Sequence, residues 1–201
     1  NYITVAGPSV CIDPDPYSAV QQKKVCEVKD ISLSSQGAPI AIIKIEEEAF
    51  ALKTQFKITI KNVGQGDVIK SQSGTSSIAS CDPFGSNKIS REDIDKVYLE
   101  EVSVGQKQLE CWPFAEGNVR AQTGFIRLIN NEGSIICELT KDKDGYSGGN
   151  TAYTTPLKIR LSYAYRSTTE RNIQIKQEPG SLARTTPTVP QPQPSTPQQP
   201  P

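Results

Sequence analysis

Leu157, Ile159, Leu161, Tyr163 and Tyr165 alternate without a break with Lys158, Arg160, Ser162, Ala164 and Arg166. A period of two sends one set to each side of an extended chain, so this stretch is patterned as a strand with one dry face. The same period runs through Thr54–Ile69, where Phe56, Ile58 and Ile60 oppose Lys57, Thr59 and Lys61. After a turn at Ser167-Thr168-Thr169, Ile173 and Ile175 repeat the pattern between Asn172, Gln174 and Lys176. That repetition predicts a long hairpin closing the domain.

The remaining segments follow the same reading. Val25–Ser34 is predicted as a first strand, bent where its apolar phase shifts between Val28 and Ile31. Ile40–Glu47 follows, with Ile43 and Ile45 assigned to one face. In Val97–Val104 the parity changes across Glu100-Glu101, which predicts a β-bulge. Asn130-Asn131-Glu132-Gly133, between Thr123–Ile129 and Ser134–Leu139, is a hairpin signal. Ser90 with Asp93 predicts an N-capped helical turn over Ser90–Asp95. About ten strands with almost no helix make an all-β sandwich of the immunoglobulin-like kind. It is expected over residues 25–177, after an extended lead-in at 1–24 whose Tyr2–Val5 makes a short strand. Residues 178–201 hold eight prolines among Gln, Thr and Ser, the composition of a disordered linker or stalk.

Composition closes off several kinds of chemistry. There is no His, so the commonest general base and metal ligand is missing, as is the usual partner of a Ser or Cys nucleophile. Lys plus Arg and Asp plus Glu both count 22, leaving no basic field for nucleic acid. No apolar run is long enough to span a bilayer, although an anchor upstream of Asn1 is compatible with the sequence. A start at Asn in a chain without Met implies a processed or excised terminus. No cofactor is expected.

Five cysteines, Cys11, Cys26, Cys81, Cys111 and Cys137, lack the C-x-x-C spacing of zinc ribbons. They fit two disulfides and an odd thiol in an oxidising compartment, or else buried reduced side chains. Cys111–Cys137 is the favoured pair, because both lie in strands of the same half of the domain, and Cys11–Cys26 is the second. Cys81 is a candidate pin for the polar loop Ser71–Asn87.

Asn62, Gly64 and Gly66 are read as structural turn residues, the glycines supplying backbone angles a Cβ would forbid. Asp142 and Asp144 begin an Asp-x-Asp-Gly run, a weak metal candidate because no twelfth-position Glu follows. Asp13 and Asp15 are read as turn formers, and Glu46-Glu47-Glu48 as a solvated, aggregation-resistant edge, with a cation site as the alternative for each. Trp112 reads as an anchor over a disulfide, with ligand stacking as its alternative.

The run ITIKNVGQGDVI resembles the CARDB-type immunoglobulin-like domains of prokaryotic surface proteins, and related domains of archaeal surface-layer-like proteins. PLKIRLSYAYRSTTERNIQIK is similar to the last two strands of those domains, and APIAIIKIEEE with FKITIKNVGQG to anchored archaeal envelope proteins. The resemblance covers about Val25–Lys176 and departs from the family in its cysteines and in the insertion at Ser71–Ser90. It implies extracellular placement and a scaffold or interaction role without catalysis. The expected function is therefore a non-enzymatic surface module for adhesion, envelope scaffolding or filament assembly. Its partners would be other surface proteins or copies of itself. The alternative is a carbohydrate-binding module using Trp112, Tyr98, Tyr146 and Tyr153.

Overall fold

The structure, a computed structural model, describes residues 2–17, 24–71, 89–141 and 151–175. Twelve strands run in chain order: β1 Tyr2–Ala6, β2 Ser9–Ile12, β3 Ile31–Ser32, β4 Ile40–Phe50, β5 Lys53–Asn62, β6 Asp67–Ile69, β7 Lys96–Val104, β8 Lys107–Gln108, β9 Glu110–Trp112, β10 Gly124–Arg127, β11 Glu132–Thr140 and β12 Tyr153–Arg166. They form two antiparallel sheets packed as a β-sandwich. One sheet has the order β1-β12-β7-β10, with β2 and β6 also on β12 and β8 on β7; the other is β3-β4-β5-β11-β9.

β12 organises the first sheet. β1 and β2 pair with it over Tyr163–Ile159 and Pro156–Tyr153, while β7 takes Leu157–Ser162 and β6 takes Ala164–Arg166. Its alternation works as written: Leu157, Ile159, Leu161 and Tyr163 are fully buried. Opposite them lie Ile42, Ile45, Phe56, Ile58 and Ile60 of the second sheet, also at or near zero exposure. Burying side chains of this size contributes on the order of 2 kcal/mol each, and that apolar layer is what holds the sheets face to face.

A buried polar network stitches the sheets at one end. The Tyr163 hydroxyl accepts from Ile40 N at 3.1 Å and shares a proton with Thr4 Oγ1 at 3.1 Å. Thr4 Oγ1 lies 2.9 Å from the Ile40 carbonyl, to which it donates. Three strands, β1, β12 and β4, are thereby joined through one phenol.

Several expectations are corrected. The short strand expected at Tyr2–Val5 is present as β1, but it and Ser9–Ile12 belong to the sandwich as strands of its first sheet, so much of the lead-in is structural core. Val10 and Ile12 are buried, which explains why the chain recruits them. The closing hairpin is absent: 167–175 carry no strand, and Ile173 and Ile175 are 84% and 89% exposed. The chain divides into a compact unit at residues 1–168 and a second at 169–201, of which only 169–175 are described. The linker expected at 178–201 lies outside the described residues.

Val25–Ser34 forms a strand only at Ile31–Ser32. In β4 the register slips between Ile42 and Lys44, so Ile42 and Ile45 turn inward and Ile43 is the extra residue. The bulge predicted in β7 is present, with Arg160 opposite Glu101 and Leu161 opposite Leu99. Asn130 and Asn131 make a two-residue turn, both with positive φ (53° and 68°), as a type I′ turn requires. It closes only the Ile129–Glu132 bridge before the chain diverges, β10 to one sheet and β11 to the other. Arg91–Asp93 is a 3-10 turn capped by Ser90, whose Oγ accepts from Glu92 N at 3.3 Å.

Candidate functional site

Two places stand out on this sandwich: the outer margin of β1, and a cleft where β4 meets the N-terminal disulfide.

β1 pairs on one side with β12 and is the terminal strand of its sheet. Inward-facing Thr4 and Ala6 are buried, while Tyr2, Ile3 and Val5 are 45%, 47% and 50% exposed. The Tyr2 ring stacks on Tyr163 at 5.8 Å, leaving Ile3 and Val5 as the apolar surface. Edge strands usually carry a charge, a proline or a cover that discourages pairing with a stranger. The margins at β9, β10 and β4 have such covers. Cys111 of β9 exchanges hydrogen bonds with Ala121 at 2.7 and 3.1 Å, and Ala115 N donates to Phe125 O of β10 at 2.7 Å. β4 is bordered by β3, and the Gln36 amide engages both backbone groups of Ile42. Among the described residues, β1 has none of these.

The cleft begins with the disulfide Cys11–Cys26, Cα–Cα 5.7 Å, which ties β2 to the segment after residue 24. Lys24 Nζ reinforces the tie through Asp13 Oδ2 at 2.5 Å, while Asp13 Oδ1 accepts from Asp15 N. Asp13 is thus a turn former, as expected, its carboxylate bonding to the backbone two residues on. Glu47 comes from β4 and crosses to this layer, its Oε2 accepting from Cys11 N at 3.3 Å. Glu47 is 6% exposed, which corrects the picture of Glu46–Glu48 as uniformly solvated. Burial pushes its carboxyl up to about 7, against the Cys11 N–H bond that lowers it. Neighbouring Glu46 behaves oppositely: hydrogen bonds from Lys57 and then Lys44 hold it at about 2. Alternation within one acidic run separates a carboxylate in ion pairs from one in a dry site. Sequence reading missed Glu47, and the signal was its parity with Ile45 downstream of the bulge.

Cys111 and Cys137 sit directly opposite each other in β9 and β11 and form the second disulfide, Cα–Cα 4.0 Å, fully buried. Trp112, the next residue, faces outward and lies beneath the Arg120 guanidinium at 4.2 Å. Arg120 is itself held by Glu110 at 3.1 Å and Glu138 at 2.9 Å. Burial would raise the Glu138 carboxyl, but Lys53, Gln55 and Arg120 together bring it down to about 2. Tyr98 of β7 packs against Phe125 of the adjacent β10 in the first sheet, at 4.9 Å, and Tyr153 is partly buried at the start of β12. Trp112, Tyr98 and Tyr153 therefore do not assemble into one stacking platform. Tyr146, Asp142, Asp144 and Cys81 lie outside the described residues.

The Asn62 turn is built by side chains. Asn62 Nδ2 donates to Gly66 O at 2.9 Å, its Oδ1 accepts from Gly64 N at 3.1 Å, and the Tyr165 hydroxyl accepts from Gly66 N at 2.5 Å. Neither Gly64 nor Gly66 has a positive φ. Their necessity is spatial: a Cβ on Gly64 would stand 2.2 Å from Tyr165 Oη, and one on Gly66 2.1 Å from Arg166 O.

Glu100 and Glu101 are committed to ion pairs with Arg160 and Lys158. Among the described residues no group of three or more metal-ligating side chains converges, and no helix is long and apolar enough to cross a membrane. No family model, curated protein or solved structure matches this chain.

Proposed function

We propose that this protein is a non-enzymatic extracellular module that assembles by strand addition at β1, serving adhesion, envelope scaffolding or filament assembly. The observation that carries this reading is the undefended outer margin of β1. Tyr2-Ile3-Thr4-Val5-Ala6 has no charge and no proline, and its outward apolar side chains are about half exposed. Backbone N–H and C=O groups along such a margin pair with any extended segment offered to them.

With the margins at β9, β10 and β4 covered, the strand best suited to meet β1 is β1 of a second copy. Antiparallel pairing about a two-fold axis would join two sheets into one, and the isologous contact closes as a dimer. Growth into a filament then needs a second contact on the same module. Two disulfides are compatible with an oxidising, extracellular setting. The likeness of ITIKNVGQGDVI to surface-protein domains points the same way. Glycan binding is the weaker reading, since Trp112 is capped by Arg120.

The test is sedimentation velocity over a concentration series, with the double variant Ile3→Lys, Val5→Lys as comparison. Paired lysines facing each other across the two-fold would repel. Wild-type association that the variant loses supports the proposal. Association that persists unchanged in the variant removes β1 from it.

A further inference from the structure

We propose that the cleft beside Glu47 is a binding site for an alkylammonium group, a cation carried on an apolar stem. Glu47 borders two adjoining cavities, of about 850 Å³ and about 310 Å³. The larger is walled by Val25, Val28, Ala49 and Phe50, and both are closed on one side by Cys26. Glu47 Oε2 is occupied by Cys11 N–H, but Oε1 is buried with no hydrogen-bond partner among the described residues. A buried acceptor left bare is costly, and native structures leave few of them. An ammonium donor seated between the cavities would satisfy it once the carboxylate rotates toward the opening.

The surroundings select the ligand's charge and shape. Among the described residues, Asp13, Glu27, Glu47 and Glu48 face the larger cavity against one base, Lys24, which Asp13 already holds. Lys29 reaches only the smaller cavity. An anion would be repelled there. Among the described residues these carboxylates do not converge as a group of three or more that could hold a bare metal ion. Val25, Val28 and Phe50 instead offer a wall for methylene groups, and a lysine-like group buries its stem while its head stays paired. Burial raises the Glu47 carboxyl to about 7, so a bound cation would favour its ionised form and displace a proton. Binding should therefore tighten as pH rises from about 6 to about 8.

The ammonium could come from a small amine or from a lysine of a partner chain, and the experiment separates these. The full chain is titrated with n-pentylamine, and separately with an extended lysine-centred pentapeptide and its norleucine counterpart. Binding is followed by NMR, with n-pentanol and pentanoate as probes of charge. Saturable shifts at Val25, Val28 and Phe50 with n-pentylamine, weakened at least about tenfold in Glu47→Gln, support the site. Tighter binding by the lysine peptide than by either the amine or the norleucine peptide assigns the source to a partner chain and also supports it. The comparison among probes on the unaltered chain stands even where the variant fails to fold. Equal shifts with pentanoate or pentanol, binding indifferent to Glu47→Gln, or no saturable binding by amine or peptide would overturn the proposal. None of these readouts involves β1, so either proposal can fail without the other.

Discussion

Tyr163 and Glu47 show how much a single polar atom can decide inside an apolar layer. Tyr163→Phe keeps the ring and its packing but strips a hydrogen-bond partner from Ile40 N and Thr4. The donor left behind is buried, so urea denaturation should record a loss of about 1–3 kcal/mol. Glu47 acts through its proton. Its folded value, about 7, lies above the ordinary 4.5. Between these values the folded chain holds a proton that the unfolded chain has released. The stabilisation is complete below about pH 4.5 and is lost as pH rises through about 7, with an upper bound of about 3 kcal/mol. Glu138, held at about 2, has the opposite sign: its contribution is present above about 4.5 and fades as pH falls through about 2. The melting temperature should therefore fall between about pH 5 and about pH 8, and Glu47→Gln should flatten that slope. A wild-type profile that rises over this window would contradict the placement of Glu47 in a dry site.

The turn after β5 and the strands around β12 show what pattern reading captures and where it stops. Gly66→Ala should cost about 1–3 kcal/mol in a thermal or urea melt, since its Cβ would press on Arg166 O and the Tyr165 ring. Gly7→Ala, with nothing within 4 Å of a Cβ, should be close to neutral. Sequence marked both Gly64 and Gly66 but for the wrong reason. Backbone freedom is a local inference, whereas the ring that crowds them arrives from Tyr165, about a hundred positions away. Alternation in β5 and β12 and the bulge in β7 were legible because strand period and parity are written in consecutive residues. The outcome for Ile173 and Ile175 was not, because alternation says that a face exists and nothing about whether a partner covers it. Glu47 was in phase with Ile45, on the same side of the bulge, but a run of three glutamates reads as a solvated edge and not as one buried carboxyl. Glu47's burial also depends on β2, which a Pro-rich context had made look like lead-in.

For the molecule as a whole, two sheets and two disulfides make a body whose chemistry lies in its margins. The Cys11–Cys26 bridge closes a separation of 15 residues and Cys111–Cys137 one of 26. Each should contribute about 3 kcal/mol by restricting the unfolded chain. The double variant Cys11→Ala, Cys26→Ala should lower the denaturation midpoint accordingly and, by freeing the segment after residue 24, abolish the pH slope set by Glu47. The interpretation as an assembling surface module rests on the plain, apolar outer margin of β1. Sedimentation velocity of the intact chain across micromolar concentrations tests this most directly. A concentration-dependent dimer that Ile3→Lys, Val5→Lys returns to monomer is the expected result; a monomer at every concentration would contradict it.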